Sequence, residues 1–200
     1  MRLMRQRWEG AAAVPDEPPR DAELWERGDE HAFGELYDRY AEAVWNHAYR
    51  LTASWSTAED LTSATFLTAW RRRDEMTLVR DSALPWLFTV AGNLARSEFR
   101  RQSRFTRLLH RVPRHDVQRD HAEDVVSGLD HEDRLRTVLA AVARLPRAER
   151  EAVELVLLGE VPVAEAAEVL GVAEVSVRSR ISRARARLRK ELPQDTPEVQ

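Results

Sequence analysis

The residues with most chemistry to offer are arginines. Between Glu174 and Lys190 the chain carries Arg178, Arg180, Arg183, Arg185, Arg187 and Arg189, with Lys190 behind them and one acid, Glu174, ahead. Ser176, Ser179 and Ser182 stand among them as small hydroxyl donors. A guanidinium is a planar fork of N–H donors that fits phosphate oxygens or the O6 and N7 edge of guanine. Such a face suits the major groove of DNA; the bland alternative is a solvated basic helix near a chain end. No other constellation suggests covalent chemistry. The sequence has no nucleophile–base pair, no phosphate-cradling glycine loop and no metal-ligand spacing, so no enzyme activity, cofactor or metal is expected. Cysteine is absent, which excludes disulfides, thiol catalysis and cysteine-ligated zinc and fits a reducing cytoplasm. His110, His115, His121 and His131 are irregularly spaced without clustered carboxylates, and read as a solvated tether.

The elements that must position the arginines come just before them. Val163, Ala166, Ala167 and Leu170 recur at helical spacing, and Gly171 follows where a sharply turning chain needs a residue tolerant of positive φ. The pattern restarts with Val177, Ile181, Ala184 and Leu188 on one face. Small Ala167 lets two helices approach, and Leu170, Val172 and Val177 fill their corner. That is the layout of a helix-turn-helix, with the arginines on its outer face.

The 200 residues allow one or two domains, and a 43% hydrophobic share is ordinary for a globular chain. Net charge is only −3, so DNA contact must come from local asymmetry. No apolar run approaches the ~20 residues of a membrane span. Ala11–Val14 is too short for a signal peptide. All six Trp, five Phe and three Tyr lie at or before Phe105. An aromatic first half and a small aliphatic second half predict two independently packed domains.

In chain order, residues 1–20 are proline-rich and aperiodic, and read as a disordered extension. Residues 21–103 make the first domain. Phe33, Leu36, Tyr37, Tyr40, Val44, Trp45, Ala48 and Leu51 predict a helix over about 31–52. Ser56–Glu59 reads as a capping box opening a second helix to about Arg72. After a polar connection, Pro85 opens a third, with Leu87, Val90, Ala91 and Leu94 buried and a basic end. Residues 104–132 read as a linker. Residues 133–192 make the second domain, with one helix stopping before Leu145-Pro146. The next runs from Arg147 to Leu158, burying Val153, Val156 and Leu157 and ending at Gly159; Pro162 opens the helix-turn-helix. Residues 193–200 are a tail. The fold class is all-α, two small helical domains.

Taken together, the halves resemble the sigma-70 family of bacterial RNA polymerase initiation factors, specifically its small extracytoplasmic-function members. Those keep two domains, region 2 and region 4. Region 2 is matched by FGELYDRY (33–40), AYRLT (48–52), AEDLTSATFLTAWRR (58–72) and PWLFTVAGNLARSEFRRQSR (85–104). Region 4 is matched by LPRAEREAVELVLLGE (145–160) and AAEVLGVAEVSVRSRISRARARLRK (166–190). The match covers about 140 of the 200 residues, in the expected order.

The resemblance implies a promoter-specificity subunit that binds core polymerase, with region 2 on the β′ clamp helices and region 4 on the β flap. An anti-sigma factor is a common partner in the family. Asp60, Leu61 and Phe66 fall in the polymerase-docking helix; Ser63 and Ala64 depart from the Gln and Glu usual there. Asn93, Arg96, Ser97, Arg100 and Arg101 fall in the segment that melts and reads the −10 element. Many relatives carry an acid at the Ser97 position. Arg178, Ser179, Arg180 and Arg183 match the −35 reading face. Trp86 and Phe88 could stack on bases or fill the core. The tether is long enough: about thirty residues reach about 100 Å at ~3.3 Å each, against about 70 Å for two helical turns of DNA. Two other readings of the residues stay open. One is an operator-binding helix-turn-helix regulator that ignores polymerase; the other is a sigma-like decoy that titrates an anti-sigma factor.

Overall fold

The computed structural model describes residues 19–73, 78–109 and 126–192; for 102–109 and 126–133 it describes the backbone alone. The extension up to residue 18, the tail from 193, and His110, His115 and His121 lie outside the described residues, as does the side chain of His131.

Caps decide where the first helices begin. α1 (Asp21–Arg27) is a short element the periodicity did not indicate, closed by Gly28 at φ 57°. α2 (Glu30–Thr52) opens at Asp29, whose carboxylate accepts the Ala32 N–H at 2.7 Å. It buries Leu36, Val44, His47, Ala48 and Leu51. α3 (Trp55–Arg71) starts slightly earlier than predicted. Extended Ser54 is its cap, its hydroxyl taking the Thr57 N–H at 3.4 Å, so Ser56 does not serve as one. Between α3 and α4, Val79 and Ser82 exchange backbone hydrogen bonds at 3.0 Å around Arg80 and Asp81, both at positive φ. This is a tight turn of the primed kind, and among the described residues no named strand occurs.

α4 (Leu84–Leu109) carries Pro85 at its second position, where a missing N–H costs no intrahelical bond. Its entry is pinned by Asp21, 2% exposed. That carboxylate takes the Ala83 N–H at 2.8 Å and the Tyr40 hydroxyl at 2.6 Å, and pairs with Arg39. One buried acid thus joins α1, α2 and the start of α4.

The second domain comprises α5 (Val126–Arg144), α6 (Arg147–Val153), a π-turn (Glu154–Leu158) that continues α6, α7 (Val163–Val169) and α8 (Glu174–Glu191). The expected linker 104–132 is therefore helical at both ends. The π-turn inserts a residue and rotates the face that follows. Ala152, Val153, Glu154 and Leu155 are buried instead of the predicted Val156 and Leu157; Leu157 is 36% exposed.

Packing departs from the expectation of two separate cores. The second domain has a small core of its own, Val142, Leu145, Val153 and Ala184 with Leu188 against them. A larger apolar cluster runs across both halves. It joins Leu36, Val44, Phe66 and Phe88 of the first to Leu155, Val161, Ala166 and Val177 of the second. Aliphatic residues of the second half complete the burial of aromatic ones in the first. Phe88 is 4% exposed and stacks on His47 at 4.2 Å, so it is a core residue and no base-stacking platform in this arrangement.

Candidate DNA-binding surfaces

The turn between α7 and α8 fixes the first surface. Gly171, at φ 62°, follows Leu170, the residue that caps the C-terminus of α7. The Val172 N–H bonds the Ala167 carbonyl at 2.9 Å, and the Gly171 N–H bonds the Glu168 carbonyl at 3.1 Å. This pair of bonds is a Schellman motif, and it satisfies carbonyls that a helix end would leave bare. The chain then re-enters a helix at once. α8 buries Val177, Ile181 and Ala184, each large apolar side chain contributing about 1.5–3 kcal/mol. The burial leaves the opposite side of α8 to solvent.

Arg178, Ser179 and Arg183 are exposed and Arg180 is half-buried. Glu174 holds Arg178 at 2.7 Å, and the Ser179 hydroxyl accepts from Arg183 at 2.7 Å. Both are surface contacts one helical turn apart, worth well under about 1 kcal/mol and easily exchanged for phosphate. Glu149, buried on α6, accepts from Arg183 at 3.3 Å. Its other oxygen lies 3.0 Å from Arg187 but outside hydrogen-bond geometry, so that contact is Coulombic only. α6 therefore orients part of the arginine face from beneath.

The second surface is on α4. Asn93, Ser97, Arg100 and Arg101 are exposed. The Ser97 hydroxyl donates to the Asn93 carbonyl at 3.1 Å and accepts from Arg100 at 3.1 Å. Arg101 pairs with Glu98 at 2.9 Å. Arg96 behaves differently from its neighbours and from the expectation placed on it. It is only 9% exposed, bonded to Glu154 of the π-turn at 2.7 Å, 3.6 Å from Glu151, and joined to the Asn93 amide oxygen. In this arrangement it faces the second domain, not open solvent. Burial pushes the Glu154 carboxyl up to about 7, with Arg96 and Arg150 pulling the other way.

α3 also corrects an expectation. Leu61 and Phe66 are 6% and 4% exposed and belong to the core, so they cannot form a docking surface. Their neighbours can. Asp60 and Ser63 are exposed on α3, and Leu67 beside them is 49% exposed. Leu67 is an exposed apolar residue that sequence reasoning did not single out; the available signal was an apolar side chain seven places after Asp60, on the polar face. Glu154 was missed as well, because it sits where periodicity expects a solvent-facing acid. Among the described residues no cluster of His, Cys, Asp or Glu could hold a metal, and no helix is long and apolar enough to cross a membrane.

Comparison with known proteins gives the family. Residues 36–105 match the family model for sigma-70 region 2, and residues 135–188 that for sigma-70 region 4. The chain is 35% identical over 189 residues to the extracytoplasmic-function (ECF) RNA polymerase sigma factor BldN of Streptomyces coelicolor, spanning 92% of this chain and 70% of BldN. Its fold is similar to that of CnrH in complex with the cytosolic domain of CnrY, with TM-score 0.56 and 25% identity. That match covers 88% of this chain and 99% of the other. It is also similar to sigma factor RpoE in complex with the anti-sigma factor NepR from Bartonella quintana, with TM-score 0.51 and 27% identity over 82% and 98% of the two chains. The chain belongs to the sigma-70 family of RNA polymerase sigma factors, in its extracytoplasmic-function group, and directs promoter-specific initiation with core polymerase.

Proposed function

We propose that three surfaces divide the work of initiation. Arg178, Ser179, Arg180 and Arg183 on α8 enter the major groove of the −35 element. Arginine forks read guanine edges there, while Arg185 and Arg187 meet phosphate. Asn93, Ser97, Arg100 and Arg101 on α4 hold the melted −10 strand, joined by Arg96 when it is uncovered; the Asn93 amide bonds a displaced base edge. Asp60, with Ser63 and Leu67 beside it, docks on the β′ clamp helices, and the second domain rests on the β flap. Residues 21–103 and 133–192 act as two modules, and their tether raises the effective concentration of each at its element. The protein acts in the cytoplasm as a dissociable specificity subunit without chemistry of its own. By analogy with RpoE and NepR, an anti-sigma factor is a partner.

The observation that carries this reading is the Schellman turn, which presents the arginine face of α8 outward while Val177, Ile181 and Ala184 anchor it. The docking assignment is tested by placing a photo-crosslinker at Leu67 and assembling the chain with core polymerase. Crosslinks to β′ are expected; crosslinks confined to β, or none, would remove α3 as the docking element.

A further inference from the structure

Three acids stand close together on α6 and the π-turn, and each is paired differently. Glu151 pairs with Arg147 of its own helix at 2.8 Å. Glu154 bonds Arg96 of α4 at 2.7 Å. Glu149 turns to α8. It is only 5% exposed, and it meets two arginines of the outer face. Arg183 donates its Nε to one carboxylate oxygen at 3.3 Å, and the Nε of Arg187 lies 3.0 Å from the other. Both arginine side chains remain 56% exposed. The carboxylate thus holds them by the inner nitrogen and leaves their tips outside.

A buried acid beneath a DNA-binding face carries two penalties. It takes a carboxylate out of water, and it sets a negative charge behind a surface that must attract phosphate. A face that only gripped phosphate would gain nothing from it. What the acid does supply is orientation. The Arg183 guanidinium is tied at Nε by Glu149 and at Nη1 by the Ser179 hydroxyl, the latter at 2.7 Å. The Ser179 bond is exposed and readily exchanged. The Glu149 bond is not, because Arg187 lies outside hydrogen-bond geometry and could not replace it. When DNA arrives, Nε therefore stays with Glu149, while Nη1 and Nη2 face outward as two parallel donors. That is the edge which fits O6 and N7 of guanine. Holding it in place lowers the ordering cost of a base contact, which needs one orientation, more than that of a phosphate contact, which accepts many.

We propose that Glu149 is a positioning residue for −35 recognition: it commits Arg183 to reading a guanine and tempers the hold of Arg187 on phosphate, so that the face gains sequence discrimination and gives up some general affinity. The inference rests on the assignment of α8 to the −35 element and names how one of its arginines is made selective. The charge of Arg187 is partly neutralised by Glu149 before any phosphate arrives, so removing the acid should add one phosphate contact to binding that ignores sequence.

The test separates discrimination from affinity. Holoenzyme reconstituted with the full chain transcribes, in competition, promoter fragments recovered by run-off selection and copies in which each −35 G·C pair is changed in turn to A·T. The free full chain is titrated with a mixed-sequence duplex at several salt concentrations. Glu149→Leu removes both charge and acceptor; Glu149→Gln removes the charge and keeps an acceptor for Arg183. The unaltered protein should discriminate roughly tenfold at the guanine that Arg183 reads. Glu149→Leu should lose most of that preference at this one pair. Both variants should bind the mixed duplex more tightly, with the slope of log K against log salt steeper by about 1. A merely structural role would instead weaken both kinds of binding together. Unchanged discrimination in a Glu149→Leu chain that melts cooperatively overturns the proposal. So does mixed-duplex binding that weakens, or keeps its salt slope, in Glu149→Gln, and this arm decides alone should Glu149→Leu not fold. Arg183→Ala is the control for the underlying assignment: discrimination unchanged at every −35 pair would remove Arg183 from the reading face, and the role of Glu149 with it.

Discussion

His47 gives the chain a calculable weakness toward acid. Its ring is 1% exposed, stacked on Phe88, and neither ring nitrogen meets hydrogen-bond geometry with a partner. Burial pulls its pKa from 6.5 down to about 4, and the nearby Leu158 and Phe88 backbone only partly offsets this. A depressed pKa means that folding disfavours the proton. The stability tied to neutral His47 is thus complete above about pH 6.5 and is lost as pH falls through about 4. The interval of roughly 2.5 pH units, at about 1.4 kcal/mol each, amounts to about 3 kcal/mol. Glu154 acts in the opposite sense. Its carboxyl is raised from 4.5 to about 7, so its contribution is complete below about 4.5 and lost as pH rises through about 7. The wild-type profile mixes both terms, and a variant must separate them. His47→Leu keeps an apolar side chain of similar bulk and cannot titrate. Urea denaturation of both proteins between about pH 7 and pH 4 should show the variant overtaking wild type by about 3 kcal/mol across that range. Parallel profiles would refute the reasoning, because they would mean that His47 takes its proton without cost to the folded state.

Three further outcomes follow from the surfaces and their supports. Arg180→Ala in reconstituted holoenzyme should weaken −35-dependent initiation and relax preference at one base position by about 1–3 kcal/mol; unchanged promoter selectivity in run-off competition would remove Arg180 from the reading face. Asn93→Ala should leave closed-complex formation intact and impair melting, read as loss of permanganate reactivity at the −10 region. Normal reactivity would count against its role. Asp21→Ala strips partners from the Ala83 N–H and the Tyr40 hydroxyl, and should lower unfolding free energy by about 3 kcal/mol, measured by urea midpoint; a loss below about 1 kcal/mol would show that water replaces the carboxylate.

Features built from residues near one another in sequence were legible before any coordinates. The α7–α8 turn is encoded by Ala167, Leu170, Gly171 and Val172 within six positions, and the apolar stripe of α8 repeats at helical spacing. The long stripe of α2 was equally plain. What escaped was set by partners far along the chain. α1 is too short for periodicity to register, and its role comes from Asp21 reaching Ala83, 62 residues away. Leu61 and Phe66 carried the right family motif, yet their exposure depended on where α2 packs. Glu154 and Arg96 are 58 residues apart, so no local pattern could reveal that an acid at a position the helical period assigns to solvent was meant for a guanidinium on another domain. The π-turn hid for a related reason: its inserted residue shifts the phase of the stripe, and a fixed helical period then places Val156 and Leu157 inside where Glu154 and Leu155 belong.

The most direct measurement is run-off transcription with purified core polymerase and a fragmented genomic library from the host, with and without this protein. Discrete start sites that appear only when it is added, sharing one −35 and one −10 sequence upstream, are the expected result. Absence of transcripts, together with DNA binding that is indifferent to polymerase, would contradict a sigma factor and leave an operator-binding regulator in its place.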